Sequence, residues 1–326
     1  MYQETVTALS GENGAKWTAF LQRCGLYPEG QWDTTVLLME DSQILACGSR
    51  KGNVLKYLAV DPARQGEGLL GTVITGLKQD AFLHGYEHLF VYTKPVNRVL
   101  FSPLFFYPVA KTSYVLLMEN RRCGIEDFLA ALDAPKREGR IGAIVMNADP
   151  FTLGHRHLVR QAAGQCDWLY VFVLSEDAGC FAAGDRLEMV RRGPADFENV
   201  TVHPTGDYLI SSATFPSYFL KDRGSVNREH CKLDLAVFTR WFAPRFGINC
   251  RFAGTEPNCP VTRAYNEEMA RALPEAGVEF HEIPRLEAGG MPVSAGTVRR
   301  RLKEKENIRD LVPESTYLYL KKINRI

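Results

Sequence analysis

The sequence predicts a two-domain α/β protein whose second half is a doubly wound parallel sheet. Three observations lead there. At 326 residues the chain exceeds what one ordinary hydrophobic core serves. From residue 141 onward, apolar strand-like runs alternate with segments of helical periodicity, the pattern of βαβ units. Between the halves lies RRCGIEDFLAALDAPKREGRIG, read as a short helix around Ile125–Leu132 followed by a charged connector broken by Pro and Gly. Domains are therefore expected at 1–124 and 140–326, with 125–139 as connector.

In the first half, strand-like runs fall at Thr34–Met39, Ile44–Cys47, Val54–Val60 and His88–Thr93, and Tyr114–Met118 closes it. Leu69–His84 carries apolar residues at helical spacing. The second half restarts with the run Ile141–Asn147 and a helix at His155–Ala163. Trp168–Leu174 (WLYVFVL) is apolar throughout, as a strand covered on both faces must be. A helix at Asp185–Arg192, a strand at Val200–His203, a helix at Leu233–Phe242 and a strand at Asn249–Ala253 follow. Such sheets bind ligands beyond the carboxyl ends of their strands, so the loops after Asn147, Leu174 and Ala253 are where chemistry is sought.

Composition narrows the partners. Lys plus Arg (39) nearly balance Asp plus Glu (38), so no overall field draws the chain to nucleic acid or to an anionic membrane, and neither is expected as a partner. A phosphate-bearing ligand must then be held by local groups. The cysteines at 24, 47, 123, 166, 180, 231, 250 and 259 include no C-x-x-C pair and no zinc-ligand spacing, so no protein metal ligands are expected. MYQETVTALSGENG has neither a basic start nor an apolar run, and no apolar stretch reaches the roughly 20 residues that span a bilayer. Dispersed thiols without a signal suit a reducing cytoplasm, with free Cys acting as a small buried hydrophobe.

The loop MNADPFTLGHRHLV is the first candidate site. A strand delivers Asn147; Asp149, Pro150 and Phe151 redirect the chain; Thr152, Gly154 and His155 open a helix. Backbone N–H groups at a helix start, with the positive end of its dipole, attract anions. Thr152 and His155, three apart, face one phosphate, or else Thr152 caps the helix and His155 is a satisfied histidine. The second candidate is GGMPVSAGTVRRRLKEKE. There Gly289 and Gly290 make a flexible approach, Ser294 or Thr297 caps a helix, and Arg299 lies on its first turn. Gly254 and Glu256, in GTEP after a buried strand, either contact a nucleotide or begin the next helix.

DPFTLGH resembles the (H/T)-x-G-H signature of the nucleotidylyltransferase superfamily, which includes pantetheine-phosphate adenylyltransferase and class I aminoacyl-tRNA synthetases. PVSAGTVRR resembles its second signature, I-S-S-T-x-V-R, and LVPESTYLYLKK its closing helix. The resemblance implies that Thr152 and His155 contact the ATP phosphates, with His155 stabilising charge on the α-phosphate. It implies that Ser294 and Arg299 bind the β- and γ-phosphates. Ala295 and Gly296 replace hydroxyl residues of that signature, and SEDAGCFAAGDR lacks a lysine common in relatives. Cationic assistance then falls to Arg186, Arg299 or a magnesium ion.

In the first half, VDPARQGEGLLGTVI resembles the (Q/R)-x-x-G-x-(G/A) loop of the GCN5-related N-acetyltransferase (GNAT) fold, whose backbone amides hold a coenzyme A pyrophosphate. Arg64, Gln65, Gly66 and Gly68 match, while Leu70 replaces a small residue. TKPVNRVLFSPLFFYPVA supplies Asn97 and Phe105–Tyr107 in matching places, and no catalytic base is evident. Over nearly its whole length the chain resembles the citrate lyase ligase family, through GDYLISSATFPSYFLK, VNREHCKLDLAVF, RFAGTEPNCPVTRAYNEEM and PVSAGTVRRRL. That implies use of ATP, with Mg²⁺, and acetate to form an acetyl-adenylate, then transfer of acetyl to the thiol prosthetic group on the acyl carrier subunit of citrate lyase. The first domain is expected to receive the carrier's pantetheine arm, and Asp207–Lys221 either closes over acetate or packs on the surface. Competing readings are an adenylyltransferase acting on phosphopantetheine or nicotinamide mononucleotide, and a non-catalytic carrier-docking protein.

Overall fold

The computed structural model of the chain describes residues 1–177, 179–210, 215–220, 226–256, 259–288 and 291–326. They divide into two units, Met1–Gly124 with Pro216–Glu229, and Ile125–Phe215 with His230–Ile326. The return of 216–229 to the first unit has no counterpart in a boundary drawn once along the sequence.

Unit 1 is built on a seven-stranded sheet. Its strands are β1 (Tyr2–Val6), β2 (Thr34–Glu40), β3 (Gln43–Lys51), β4 (Val54–Val60), β5 (Phe90–Thr93), β6 (Tyr107–Lys111) and β7 (Leu116–Glu119), in the order β1-β2-β3-β4-β5-β7-β6. All neighbours are antiparallel except β4 and β5, which helix α2 (Leu69–Leu83) connects. α2 buries Leu69, Val73, Ile74 and Leu77 on the sheet, the stripe its spacing predicts. Helix α1 (Gly11–Arg23) adds Trp17, Phe20 and Leu21, and the short α3 (Arg98–Phe101) lies between β5 and β6 in the chain. β4 and β5 pair only at Val54–Phe90 and Leu55–Val91. Beyond that the register of β3 against β4 slips and Tyr57 takes φ +53°, a bulge that bends β4 away. The parted strands leave a fork with the start of α2 beside it. This mixed sheet with one parallel, helix-connected pair is the GNAT-like α+β fold expected.

Unit 2 carries five parallel strands: β8 (Ile141–Met146), β9 (Trp168–Val173), β10 (Val200–Pro204), β11 (Cys250–Gly254) and β12 (Glu279–Ile283). Their order, β10-β9-β8-β11-β12, is the doubly wound Rossmann order, reversing direction at β8. Helix α4 (Gly124–Ala130) precedes the sheet; the intervening helices are α5 (Leu153–Ala163), α6 (Ala183–Arg192), α7 (Val226–Val237, its first four residues in unit 1), the short α8 (Ala243–Phe246) and α9 (Pro260–Glu275), and α10 (Ala295–Lys303) and α11 (Glu314–Lys322) close the chain. Val171, Phe151, Phe252, Val298 and Leu320 share one core, which joins sheet, α10 and α11. The helix read at Leu233–Phe242 starts earlier, at Val226, and widens to a π-turn at Phe238–Phe242. β1, α1, β6 and β12 have no counterpart in the sequence reading, and α9 is the helix anticipated after GTEP, there without bounds.

All eight cysteines are free, but only Cys47, Cys231 and Cys250 are buried. Among the described residues, no helix is long and apolar enough to cross a membrane. Phe172 is fully buried on β9, against Phe242 at 5.3 Å and Phe246 at 5.1 Å between ring centroids. Phe172→Ala is expected to cost about 3–5 kcal/mol in chemical denaturation. The exposed Leu318→Ala, by contrast, should stay within about 0.5 kcal/mol.

Candidate active site

β8 and β11 pair only at Gly142–Cys250 and Ala143–Arg251. Above those residues the two strands part, at the point where strand order reverses. The crevice so formed is a cavity of about 490 Å³ within unit 2, lined from β8, β11, α5, α9 and the start of α10.

The start of α5 is fixed from three directions. Thr152 is its N-cap: its Oγ1 accepts from the His155 N–H at 3.3 Å, and its own N–H donates to His155 Nδ1 at 3.0 Å. The Leu153 N–H donates to the Leu311 carbonyl at 2.9 Å. Gly154 lies so close to the segment before α10 that a Cβ there would stand 2.7 Å from the Val293 carbonyl oxygen. Only glycine fits without a backbone shift. On the facing side, Ser294 caps α10, its Oγ accepting from the Thr297 N–H at 3.1 Å and lying 3.0 Å from Thr297 Oγ1. Two helix N-termini thus open on one cavity, each with the positive end of its dipole toward it.

The geometry fixes the His155 tautomer. Nδ1 accepts a backbone N–H, so in the neutral ring the proton sits on Nε2, leaving that edge a donor. Burial, helped by the positive Arg285, lowers its pKa to about 4. The ring stacks on the buried Phe151 at 5.7 Å. At neutral pH His155 is therefore an uncharged donor.

The sequence candidates separate into two sets. Asn147, Thr152, Gly154, His155, Gly254, Ser294 and Arg299 line the cavity. Asp149, Pro150, Phe151, Arg186, Glu256 and Thr297 do not. Asp149 is buried and accepts from the N–H groups of Cys180 and Phe181, both at 3.0 Å, pinning the loop before α6. Arg186, expected as a phosphate cation, is fully buried; it donates to the carbonyls of Phe181, Asn147 and Glu176 and to Asn147 Oδ1. Its charge is held inside the scaffold, where it orients Asn147. Glu256 accepts from the Cys259 N–H at 3.1 Å, beside the start of α9, and pairs with Arg285. Arg299 is held by the Asp149 carbonyl and lies 3.6 Å from its carboxylate.

Arg251, His157, Tyr265 and Arg285 also line the cavity and were not singled out in the sequence. The available signal was Arg251, a charge inside the otherwise apolar run of β11. In 207–221, residues 211–214 and 221 lie outside the described residues, as do Gly289 and Gly290. Tyr208, Leu209, Phe215, Tyr218 and Phe219 of that segment are buried, and none lines the cavity.

In unit 1, Gln65, Gly66 and Gly68 are exposed at the start of α2, with Gly66 at φ +89° and Gly68 at φ +76°. Arg64 is held by Glu40 at 2.8 Å and by Glu67 at 2.7 Å. Asn97 Nδ2 donates to Thr93 Oγ1 at 2.9 Å, at the end of β5. Phe105 is exposed and Tyr107 opens β6.

An NMR titration of the His155 ring is expected to show a midpoint near 4, against about 6.5 for an ordinary histidine. Unfolded chains take up this proton first, so the group weakens the fold as pH falls from about 6.5 toward 4 and has no such effect above that window.

Comparison with known proteins gives the family. Residues 141–320 match the family model for the citrate lyase ligase C-terminal domain. A citrate pro-3S-lyase ligase of Klebsiella pneumoniae is 43% identical over 309 residues, 92% of this chain and 90% of that protein. That of Escherichia coli K12 is 38% identical over 318 residues, 95% of this chain and 90% of that protein. A phosphopantetheine adenylyltransferase of Dehalococcoides mccartyi is 36% identical over 67 residues, 20% of this chain and 42% of that protein. With such identity along almost its full length, the chain belongs to the citrate lyase ligase family.

Proposed function

We propose that unit 2 activates acetate with ATP, and that the acetyl group then passes to the thiol prosthetic group of the citrate lyase acyl carrier subunit. The observation that carries this reading is the convergence of the α5 and α10 starts on one cavity at the β8–β11 fork. The ATP phosphates lie across these two N-termini. His155 Nε2–H donates to an oxygen of the α-phosphate as negative charge builds there. Arg299, released from Asp149, takes the β- and γ-phosphates with Ser294. Acetate oxygen attacks the α-phosphorus and pyrophosphate leaves, giving acetyl-adenylate. The carrier thiol then attacks the acetyl carbon, AMP departs, and the thiol proton goes to solvent.

Among the described residues no group of three or more His, Cys, Asp or Glu side chains is placed to hold a metal ion. Magnesium is suited to this arrangement because it binds mainly phosphate oxygens and water and needs few protein ligands. When bound, it neutralises charge on the leaving pyrophosphate. Adenylyl transfer asks for positioning and charge stabilisation and for no side-chain nucleophile, and the cavity offers donors for that charge.

The deciding experiment measures pyrophosphate release from Mg²⁺·ATP, with and without acetate and thiol-form citrate lyase. Acetate-dependent release, return of lyase activity and AMP formation are expected, with kcat falling about a hundredfold in His155→Ala. A dinucleotide product formed from phosphopantetheine, with no acetate dependence, would replace this reading with adenylyl transfer to that acceptor.

Unit 1 is proposed to receive the pantetheine arm of the carrier at the Gln65–Gly68 loop. Any side chain at Gly68 is strained at φ +76°, so the discriminating substitution is at Gln65, whose backbone is ordinary. Gln65→Glu sets a carboxylate where a helix start favours phosphate, and the carrier KM should rise about tenfold. An unchanged KM would remove unit 1 from carrier recognition.

A further inference from the structure

The sites so far described hold phosphates and leave the activated acid without a partner. Arg251 sits at the base of the fork, the last β11 residue paired with β8 and three positions deeper than Gly254. It lines the cavity and is 3% exposed. Its Nη2 donates to Tyr265 Oη at 3.2 Å, and the Tyr265 hydroxyl in turn donates to Asp234. The Asp234 carboxylate itself stands 3.9 Å from Nη2, too far for a hydrogen bond. The guanidinium lies over the Phe238 ring at 4.3 Å. Its Nη1 is buried and has no hydrogen-bond partner among the described residues. A second cavity residue, His157, has a buried Nδ1 equally without a partner among those residues.

A guanidinium stays charged at any pH a protein meets, and a buried donor pair left unmade is costly. Such a cost is recovered when a ligand supplies the missing acceptor. The planar fork of arginine matches a carboxylate, and the neighbouring lining from Leu158, Phe252 and Met269 is apolar, which suits a short alkyl group.

We propose that Arg251 binds the carboxylate of the acid that unit 2 activates, held in position by Tyr265 and Asp234, with Leu158 and Met269 bounding the acid's carbon chain. This rests on the acetate-activation reading above. Nη1 donates to one carboxylate oxygen and leaves the other to attack. The new bond joins that oxygen to the α-phosphorus. The bond from the α-phosphorus to the bridging oxygen breaks, and pyrophosphate departs with that oxygen and its electron pair.

The test compares KM for acetate with KM for ATP in the pyrophosphate-release assay, using the full chain. Arg251→Lys is expected to raise the acetate KM about tenfold and Arg251→Met at least about a hundredfold, while the ATP KM stays within about threefold. Met269→Ala should raise kcat/KM for propionate relative to acetate, a shift that a merely structural wall would not give. If Arg251→Met fails to melt cooperatively, Tyr265→Phe decides: loss of the hydroxyl alone should raise the acetate KM several-fold. An active wild type whose acetate KM is unmoved by Arg251→Lys and Tyr265→Phe overturns the carboxylate assignment and leaves acetate activation standing. A wild type without acetate-dependent release overturns both.

Discussion

The close approach of Gly154 to the Val293 carbonyl is the contact on which the site depends. It sets the start of α5 against the start of α10, so that segments far apart in sequence share one anion-attracting corner. The hydrogen bond from the Leu153 N–H to the Leu311 carbonyl holds the same turn from another side. That turn therefore has little freedom, and the Thr152–His155 cap inherits its rigidity. A donor aimed at a developing charge acts best when it need not reorganise. In the role proposed for His155 the aim is set by backbone contacts rather than by the histidine itself.

The arginines of unit 2 have different duties. Arg186 is enclosed by carbonyl oxygens and shapes the loop that carries Asn147. Arg285 pairs with Glu256, and its charge adds to the burial that keeps the His155 ring neutral. Arg299 rests on Asp149 and is more than a third exposed, so it gives up that partner more readily than a buried residue does. Arg251 keeps in the interior a donor that no described residue uses. Positive charge at the cavity is thus distributed over side chains with different freedom to move, although the chain as a whole is almost neutral.

What the sequence made legible was local. The fully apolar run of β9 announced a doubly covered strand, and T-x-G-H announced a cap with a histidine on the first turn. The cap alternative and the ligand alternative for Thr152 and His155 turn out to be compatible: the hydrogen bonds that cap the helix use Nδ1 and leave Nε2 to face outward. α1 was missed because Gly11, Asn13 and Gly14 in its first turn read as loop, although Trp17, Phe20 and Leu21 then bury its far end. β12 was missed because alternation in EFHEI is masked by two glutamates at the sheet edge. Arg186 could not be told from a ligand cation by sequence, since all but one of the acceptors it meets are backbone carbonyls, which leave no trace in side-chain pattern. Arg251 became visible only once the fork between β8 and β11 gave it a cavity.

The assignment of residues 216–229 to unit 1 bears on how this chain is dissected. Tyr218 lies against Tyr57 at 4.6 Å, and the Tyr27 N–H donates to the Tyr218 carbonyl at 3.0 Å. The Ser217 N–H donates to Glu29 at 3.1 Å, within the same unit. A cut after residue 124 therefore does not yield two intact halves. The amino-terminal fragment loses a covering aromatic segment, and the carboxyl-terminal fragment carries Tyr218 and Phe219 away from their seat. During synthesis, unit 1 cannot be completed until the ribosome has passed residue 229, well into the second unit.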